Sequence, residues 1–133
     1  MIFDHIGLFV SDLSAGHKQF AAMLPVAKFS PEIDDPLLKV RVQFLWDSSG
    51  TRYELVAPLG ADSPVSGALA SGNNILNHVA YRVADLDVEI ARLRQQRCMP
   101  FGTPQPAVAF NNARVIFLLT PLQFIIELIE DKP

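Results

Sequence analysis

The 133-residue chain is half apolar and 19% charged, which excludes wholesale disorder and suits one packed domain. Eleven basic residues against fourteen acidic ones give a net charge of −3, and no run of Lys or Arg forms a patch, so nucleic acid is excluded as a main partner. No apolar run approaches the roughly 20 residues that span a bilayer, Asp4 and His5 stand where a secretory signal would be basic or apolar, and the lone Cys98 has no partner for an internal disulfide. A soluble cytoplasmic protein with no membrane partner is expected.

In chain order, residues 2–10 are rich in β-branched and aromatic side chains and read as a strand. Asp12 offers a cap for a helix to about residue 24, with Leu13, Phe20 and Leu24 on one stripe and Pro25 stopping it. Extended segments are expected at 26–30, 38–46 and 51–57. Leu59 to Val65 has turn chemistry, and a short helix over 64–71 carries the chain onward. The second half then reads as a strand at 75–83, a helix from Asp85 to about Arg97, and strands near 98–102, 112–119 and 122–129, with Asn111-Asn112 as a turn.

The two halves are copies. Shifting the chain by 73 residues lays Asp4-His5-Ile6-Gly7-Leu8-Phe9-Val10-Ser11-Asp12-Leu13 on Asn77-His78-Val79-Ala80-Tyr81-Arg82-Val83-Ala84-Asp85-Leu86 without a gap. The same offset lays Arg41-Val42-Gln43-Phe44-Leu45 on Arg114-Val115-Ile116-Phe117-Leu118, Pro31 on Pro104, and Tyr53-Glu54-Leu55-Val56 on Ile126-Glu127-Leu128-Ile129. The expected fold class is α+β: tandem βαβββ modules, 1–58 and 74–130 with a linker at 59–73, building one domain over 1–133 whose curved, barrel-like mixed sheet buries the apolar faces neither module can bury alone. Short strands with this much apolar surface leave edges to cover, so a homodimer is expected.

Two polar positions recur at the same addresses. His5 and Glu54 are 49 residues apart, as are His78 and Glu127, each His in the first strand of its half and each Glu in the last. Singly, such residues are half-buried strand histidines and edge glutamates. A pseudo-twofold axis between duplicated modules would bring equivalent residues together as two imidazoles and two carboxylates. That set neutralises a divalent cation and leaves about two octahedral positions open for a chelating substrate. The donors suit Co, Ni, Mn, Zn or Fe alike. Arg41 and Arg114 are repeat-equivalent and suit strand edges. Arg114, and Arg82 on the strand face of His78, are candidates for holding a substrate anion. His17 reads as solvated, and Phe44 and Trp46 as core or interface.

His5-x-Gly7, Glu54-Leu55-x-x-Pro58-Leu59, His78-x-Ala80 and Glu127-Leu128-Ile129-Glu130 together resemble the vicinal oxygen chelate superfamily of glyoxalase I, methylmalonyl-CoA epimerase, extradiol dioxygenases and fosfomycin- or bleomycin-resistance proteins. Ala57 to Val65, followed by Asn77 to Val83, looks most like the epimerase branch. The resemblance implies a glyoxalase-like fold, His5, Glu54, His78 and Glu127 as ligands of one divalent metal, and a small-molecule substrate such as an acyl-CoA thioester. It also implies a Glu acid/base just before Val40 to Leu45, where Leu37 and Leu38 stand with Asp34 and Asp35 nearby. Epimerases of this group commonly carry Gln at the position of Glu54, whereas glyoxalase I enzymes can carry Glu.

The expected activity is metal-dependent proton abstraction and epimerisation next to a carbonyl, with Glu127, Glu54 and Asp35 as candidate acid/base residues. Two alternatives stand beside it: a glyoxalase I-like lyase acting on a small α-keto adduct, and a non-catalytic ligand-binding protein of the resistance type. A dioxygenase fits least, because a fourth protein ligand would occupy a position that oxygen needs.

Overall fold

The computed structural model describes residues 1–70 and 72–131. Its contacts cluster into two compact units, His5–Asn77 and a second formed by Met1–Asp4 with the chain from His78 onward. The fold is α+β, mixed sheet with few helices.

In the first module, strand β1 (Ile2–Phe9) leads to helix α1 (Leu13–Met23), then to β2 (Val26–Phe29), β3 (Ile33–Asp35), β4 (Val40–Asp47) and β5 (Arg52–Pro58). Strand β1 lies parallel to β5, and β4 lies antiparallel to β5, β2 and β3. Helix α1 starts where Asp12 accepts a hydrogen bond from the Ala15 amide at 2.8 Å. It buries Leu13, Gly16 and Phe20, spaced to fall on one face. Gly16 rests so closely on Val10 that a Cβ there would meet the Val10 side chain at 3.1 Å, a tight contact that Val10 would have to yield to by a few tenths of an ångström. Helix α2 (Pro64–Ala68) follows β5. The expected end of this helix, residue 71, lies outside the described residues.

The second module repeats the plan. Strand β6 (Ile75–Val83) leads to helix α3 (Leu86–Gln95), then β7 (Met99–Pro100), β8 (Gln105–Ala107), β9 (Ala113–Leu119) and β10 (Ile125–Glu130). Strand β6 lies parallel to β10, β10 antiparallel to β9, and β7 and β8 both pair with β9. Asp85 caps α3 by accepting from the Val88 amide at 3.1 Å. The helix stops at Gln95 because Arg97 adopts φ +68, left-handed backbone that ends a helical turn.

The 73-residue offset extends into both cores. Val10, Leu13, Phe20, Leu45 and Leu55 of one buried cluster correspond to Val83, Leu86, Leu93, Leu118 and Leu128 of the other. Fully burying such side chains contributes about 1.5–3 kcal/mol each before entropy is counted.

Three details differ from the expected elements. Each module has an extra short strand, β3 or β8, whose Asp34-Asp35 or Pro106 has poor β propensity; pairing with β4 or β9 makes the strand. Residues 108–110 form a 3₁₀ turn. The last strand begins at Ile125 rather than 122, because Gln123 has φ +69 inside a turn closed by the Thr120 and Phe124 backbones. Asn111 and Asn112 both adopt left-handed backbone, in keeping with the expected turn. Among the described residues, no helix is long and apolar enough to cross a membrane.

Candidate metal centre

The strand registers place one His–Glu pair in each module. Gly7 lies opposite Glu54 in the parallel β1–β5 ladder, and Ala80 lies opposite Glu127 in the parallel β6–β10 ladder. Side chains alternate along a strand, so His5 and His78, each two residues earlier, share the face of their module's Glu. The contacts are nearly identical: His5 Nε2 to Glu54 Oε1 is 3.4 Å, and His78 Nε2 to Glu127 Oε1 is 3.3 Å. A repeat-related ring seats each imidazole. Phe44 lies opposite Glu54 and meets the His5 ring edge-on at 5.8 Å; Phe117 lies opposite Glu127 and meets the His78 ring at 5.1 Å. All four polar residues are buried, His5 completely. A carboxylate taken out of water is costly unless it is paired or bound to a cation, and each Glu here has its module's His beside it.

Among the described residues, His5, Glu54, His78 and Glu127 are a group that could hold a metal ion, each offering one ligand atom. Two neutral imidazoles and two carboxylates also balance a charge of +2. The residues present fit a divalent metal ion.

The other candidates have different surroundings. Asp35 is buried and, through the β3–β4–β5 register, shares the sheet face of Phe44 and Glu54. Its partner Val40 is four residues along β4 from Phe44, about 13 Å at strand spacing, and its Oδ1 accepts the Leu38 amide at 3.0 Å, anchoring the turn before β4. Leu37 is exposed in that turn. Arg82 is held by carboxylates, its Nε 3.3 Å from Asp4 and its Nη1 3.5 Å from Asp131. Arg114 joins Glu130 at 2.6 Å and Asp87 at 3.2 Å, and these hydrogen bonds, Glu130's foremost, push its already high pKa further up. Arg41, its repeat equivalent, pairs instead with Asp34 across the β3–β4 edge. Cys98 is buried in the second core. His17 is half-buried: it packs on Phe29 at 4.9 Å and meets the buried Gln43 side chain at 3.2 Å.

Sequence reasoning passed over Arg52. On β5 it sits two residues before Glu54 and opposite Trp46, with its guanidinium 3.8 Å from the Phe44 ring centre and 5.4 Å from that of Trp46. The available signal was a break in the repeat: the 73-residue offset lays this arginine on Ile125.

The family model described as Glyoxalase/Bleomycin resistance protein/Dioxygenase superfamily matches residues 4–117. An ethylmalonyl-CoA/methylmalonyl-CoA epimerase of Cereibacter sphaeroides is 30% identical over 119 residues, covering 86% of this chain and 85% of its own. The crystal structure of methylmalonyl-CoA epimerase from Mycobacterium tuberculosis superposes with a TM-score of 0.79 at 28% identity, covering 98% of this chain and 88% of that one. A methylmalonyl-CoA epimerase in complex with methylmalonyl-CoA and NH4+ gives a TM-score of 0.74 at 25% identity, over 98% and 94% of the two chains. The chain belongs to the glyoxalase/bleomycin resistance protein/dioxygenase superfamily.

Proposed function

We propose that this protein is a metal-dependent epimerase that moves a proton at the carbon next to a thioester carbonyl, with an acyl-CoA of the methylmalonyl-CoA type as substrate. The observation that carries this reading is the duplicated His–Glu pair, which gives each module one buried carboxylate at the same register position. The epimerases among its relatives supply the substrate class.

His5, Glu54, His78 and Glu127 would hold one divalent ion, Co, Ni, Mn, Zn or Fe. When bound, that ion supplies Lewis acidity toward two neighbouring substrate oxygens. The chain's own residues move the proton. The carboxylate of one module, Glu54 or Glu127, takes the α-proton as the C–H bond breaks, and the electron pair spreads onto the carbonyl oxygen. The carboxylate of the other module returns a proton from the opposite side, inverting the carbon. His5 and His78, each next to its Glu, fix the direction in which the carboxylate oxygens point. Asp35 is a third acid/base candidate on the first module's face. We read the chain as one domain of two repeats, 1–58 and 74–130, acting as a cytoplasmic homodimer on a small molecule; light scattering tests the dimer.

The test is α-proton exchange. Cobalt-loaded protein and methylmalonyl-CoA in deuterated water should give fast deuterium uptake at the α-carbon that a chelator abolishes. No uptake from folded, metal-loaded protein would overturn the assignment. Glu54, a carboxylate where the epimerase pattern has Gln, favours a glyoxalase I-like lyase as the second reading, and turnover of a hemithioacetal in place of methylmalonyl-CoA would select it.

A further inference from the structure

We infer that Met99, Phe101, Leu119 and Ile125 form an apolar wall that binds the alkyl substituent of the substrate's reacting carbon and favours substituents longer than ethyl. The choice of reacting carbon rests on the proposed epimerisation.

Strand register aligns these side chains with the second His–Glu pair. Ile125 on β10 lies opposite His78, Leu119 on β9 opposite Ile125, and Met99 on β7 opposite Leu119. Residues opposite one another share a sheet face, so one row runs from the imidazole across three further strands. The neighbouring row starts at Glu127. Phe117 lies opposite it, and the Phe101 amide donates to the Phe117 carbonyl at 2.9 Å, continuing the β7–β9 register. Beyond the His and the Glu, every side chain of the two rows is apolar. Phe101 is 53% exposed and Met99 65%, on the face that carries a buried imidazole and a buried carboxylate. Apolar surface left open beside convergent polar groups is the makeup of a small-molecule site. The first module does not repeat the wall: in register there stand Lys28, Trp46 and Arg52.

The chemistry of the reacting carbon selects the occupant. In a malonyl thioester that carbon carries a proton, a carboxylate, the thioester carbonyl and an alkyl group. The proton goes to a base, and the carboxylate and carbonyl oxygens are what a cation binds. The alkyl group is the one substituent that gains by leaving water. Pantetheine carries amides, whose hydrogen bonds would go unmade against such a wall. Length follows from the sheet. Neighbouring strands are about 4.8 Å apart, which a methyl or ethyl group cannot cross, whereas a butyl chain reaches from one strand's side chains to the next.

Metal-loaded protein is titrated calorimetrically with methylmalonate and with butylmalonate, after metal content and melting temperatures are compared. Wild type should bind butylmalonate at least about tenfold more tightly, since each added methylene is worth about fourfold when fully buried. In the double variant Met99→Ser/Phe101→Ser, which removes the exposed part of the wall, that ratio should fall below about threefold. Leu122→Ser removes an exposed leucine from the β9–β10 turn and should keep the wild-type ratio. Should the double variant fail to fold, Phe101→Ser alone decides the same point. Equal affinities in wild type, no binding of either diacid, or a ratio unchanged in the double variant would overturn the inference. Deuterium exchange then separates the substrate's two apolar parts: kcat/KM should be higher for butylmalonyl-CoA than for methylmalonyl-CoA, and Phe101→Ser should narrow the gap. An equal loss on both thioesters would put the pantetheine arm on the wall and overturn the inference. If wild type exchanges neither thioester, the epimerase reading fails, while the calorimetric ratio still decides what the wall binds.

Discussion

The two modules share their machinery and differ in what surrounds it. In both, a parallel pair of strands sets the residue two beyond a histidine opposite a glutamate, a phenylalanine seats the imidazole, and matching leucines fill the core. They differ in the fate of their charged residues. The first module stacks Lys28 and Arg52 on aromatic rings beside its His–Glu pair. The second uses its arginine at the outer ladder, where Arg114 joins β9 to Glu130 on β10 and to Asp87 in the first turn of α3. The His–Glu pair and its phenylalanine are duplicated; the stacked cations are not.

The most severe way to break the equivalence is to remove one imidazole at a time. His5→Ala and His78→Ala should each lower cobalt affinity at least about 100-fold in a competition titration, since even loss of an outer-shell partner costs 10–100-fold. Full affinity in either variant would show that one module alone holds the ion. The cores come next. Leu45 and Leu118 are repeat-equivalent and both fully buried, so Leu45→Ala and Leu118→Ala should each cost about 2–5 kcal/mol in denaturant unfolding. Unequal costs would show that one module's core relaxes around the cavity more readily than the other's.

Smaller effects sharpen the comparison. Asp12→Ala and Asp85→Ala each remove one cap bond and should cost about 1 kcal/mol. The smallest effect is pH-dependent. The Arg41 hydrogen bond holds the Asp34 carboxyl below its ordinary 3.8, so the pair stabilises the fold above that pH and loses its contribution as pH falls through the depressed value. The melting temperature of Asp34→Asn should therefore lie slightly below wild type at pH 6 and converge with it in strong acid. A gap that persists in acid would show that the pair's charge is not its contribution.

Much of this was legible in the chain because the duplication doubles each signal. A histidine in a strand is ambiguous alone; two histidines at one offset, each 49 residues before a glutamate, are not. The helix starts were legible because Asp12 and Asp85 are local signals, satisfied by amides three residues on. The short strands β3 and β8 were not, because residues such as Asp34 and Pro106 have no strand preference and pair only because β4 and β9 are already in place. Gly16 also needs the structure to explain it, through the nearness of Val10.

The sequence by itself determined the repeat, the two-module α+β plan, the core stripes and the four candidate ligands, since periodicity and spacing are properties of the chain. Only the tertiary structure decided which charges face which partners. It tied Arg82 to Asp4 and Asp131 and Arg114 to Glu130 and Asp87, and it laid Arg52 on Phe44 beside His5. Long cationic side chains reach several neighbours from one backbone position, and strand register selects among those neighbours only after the sheet has formed.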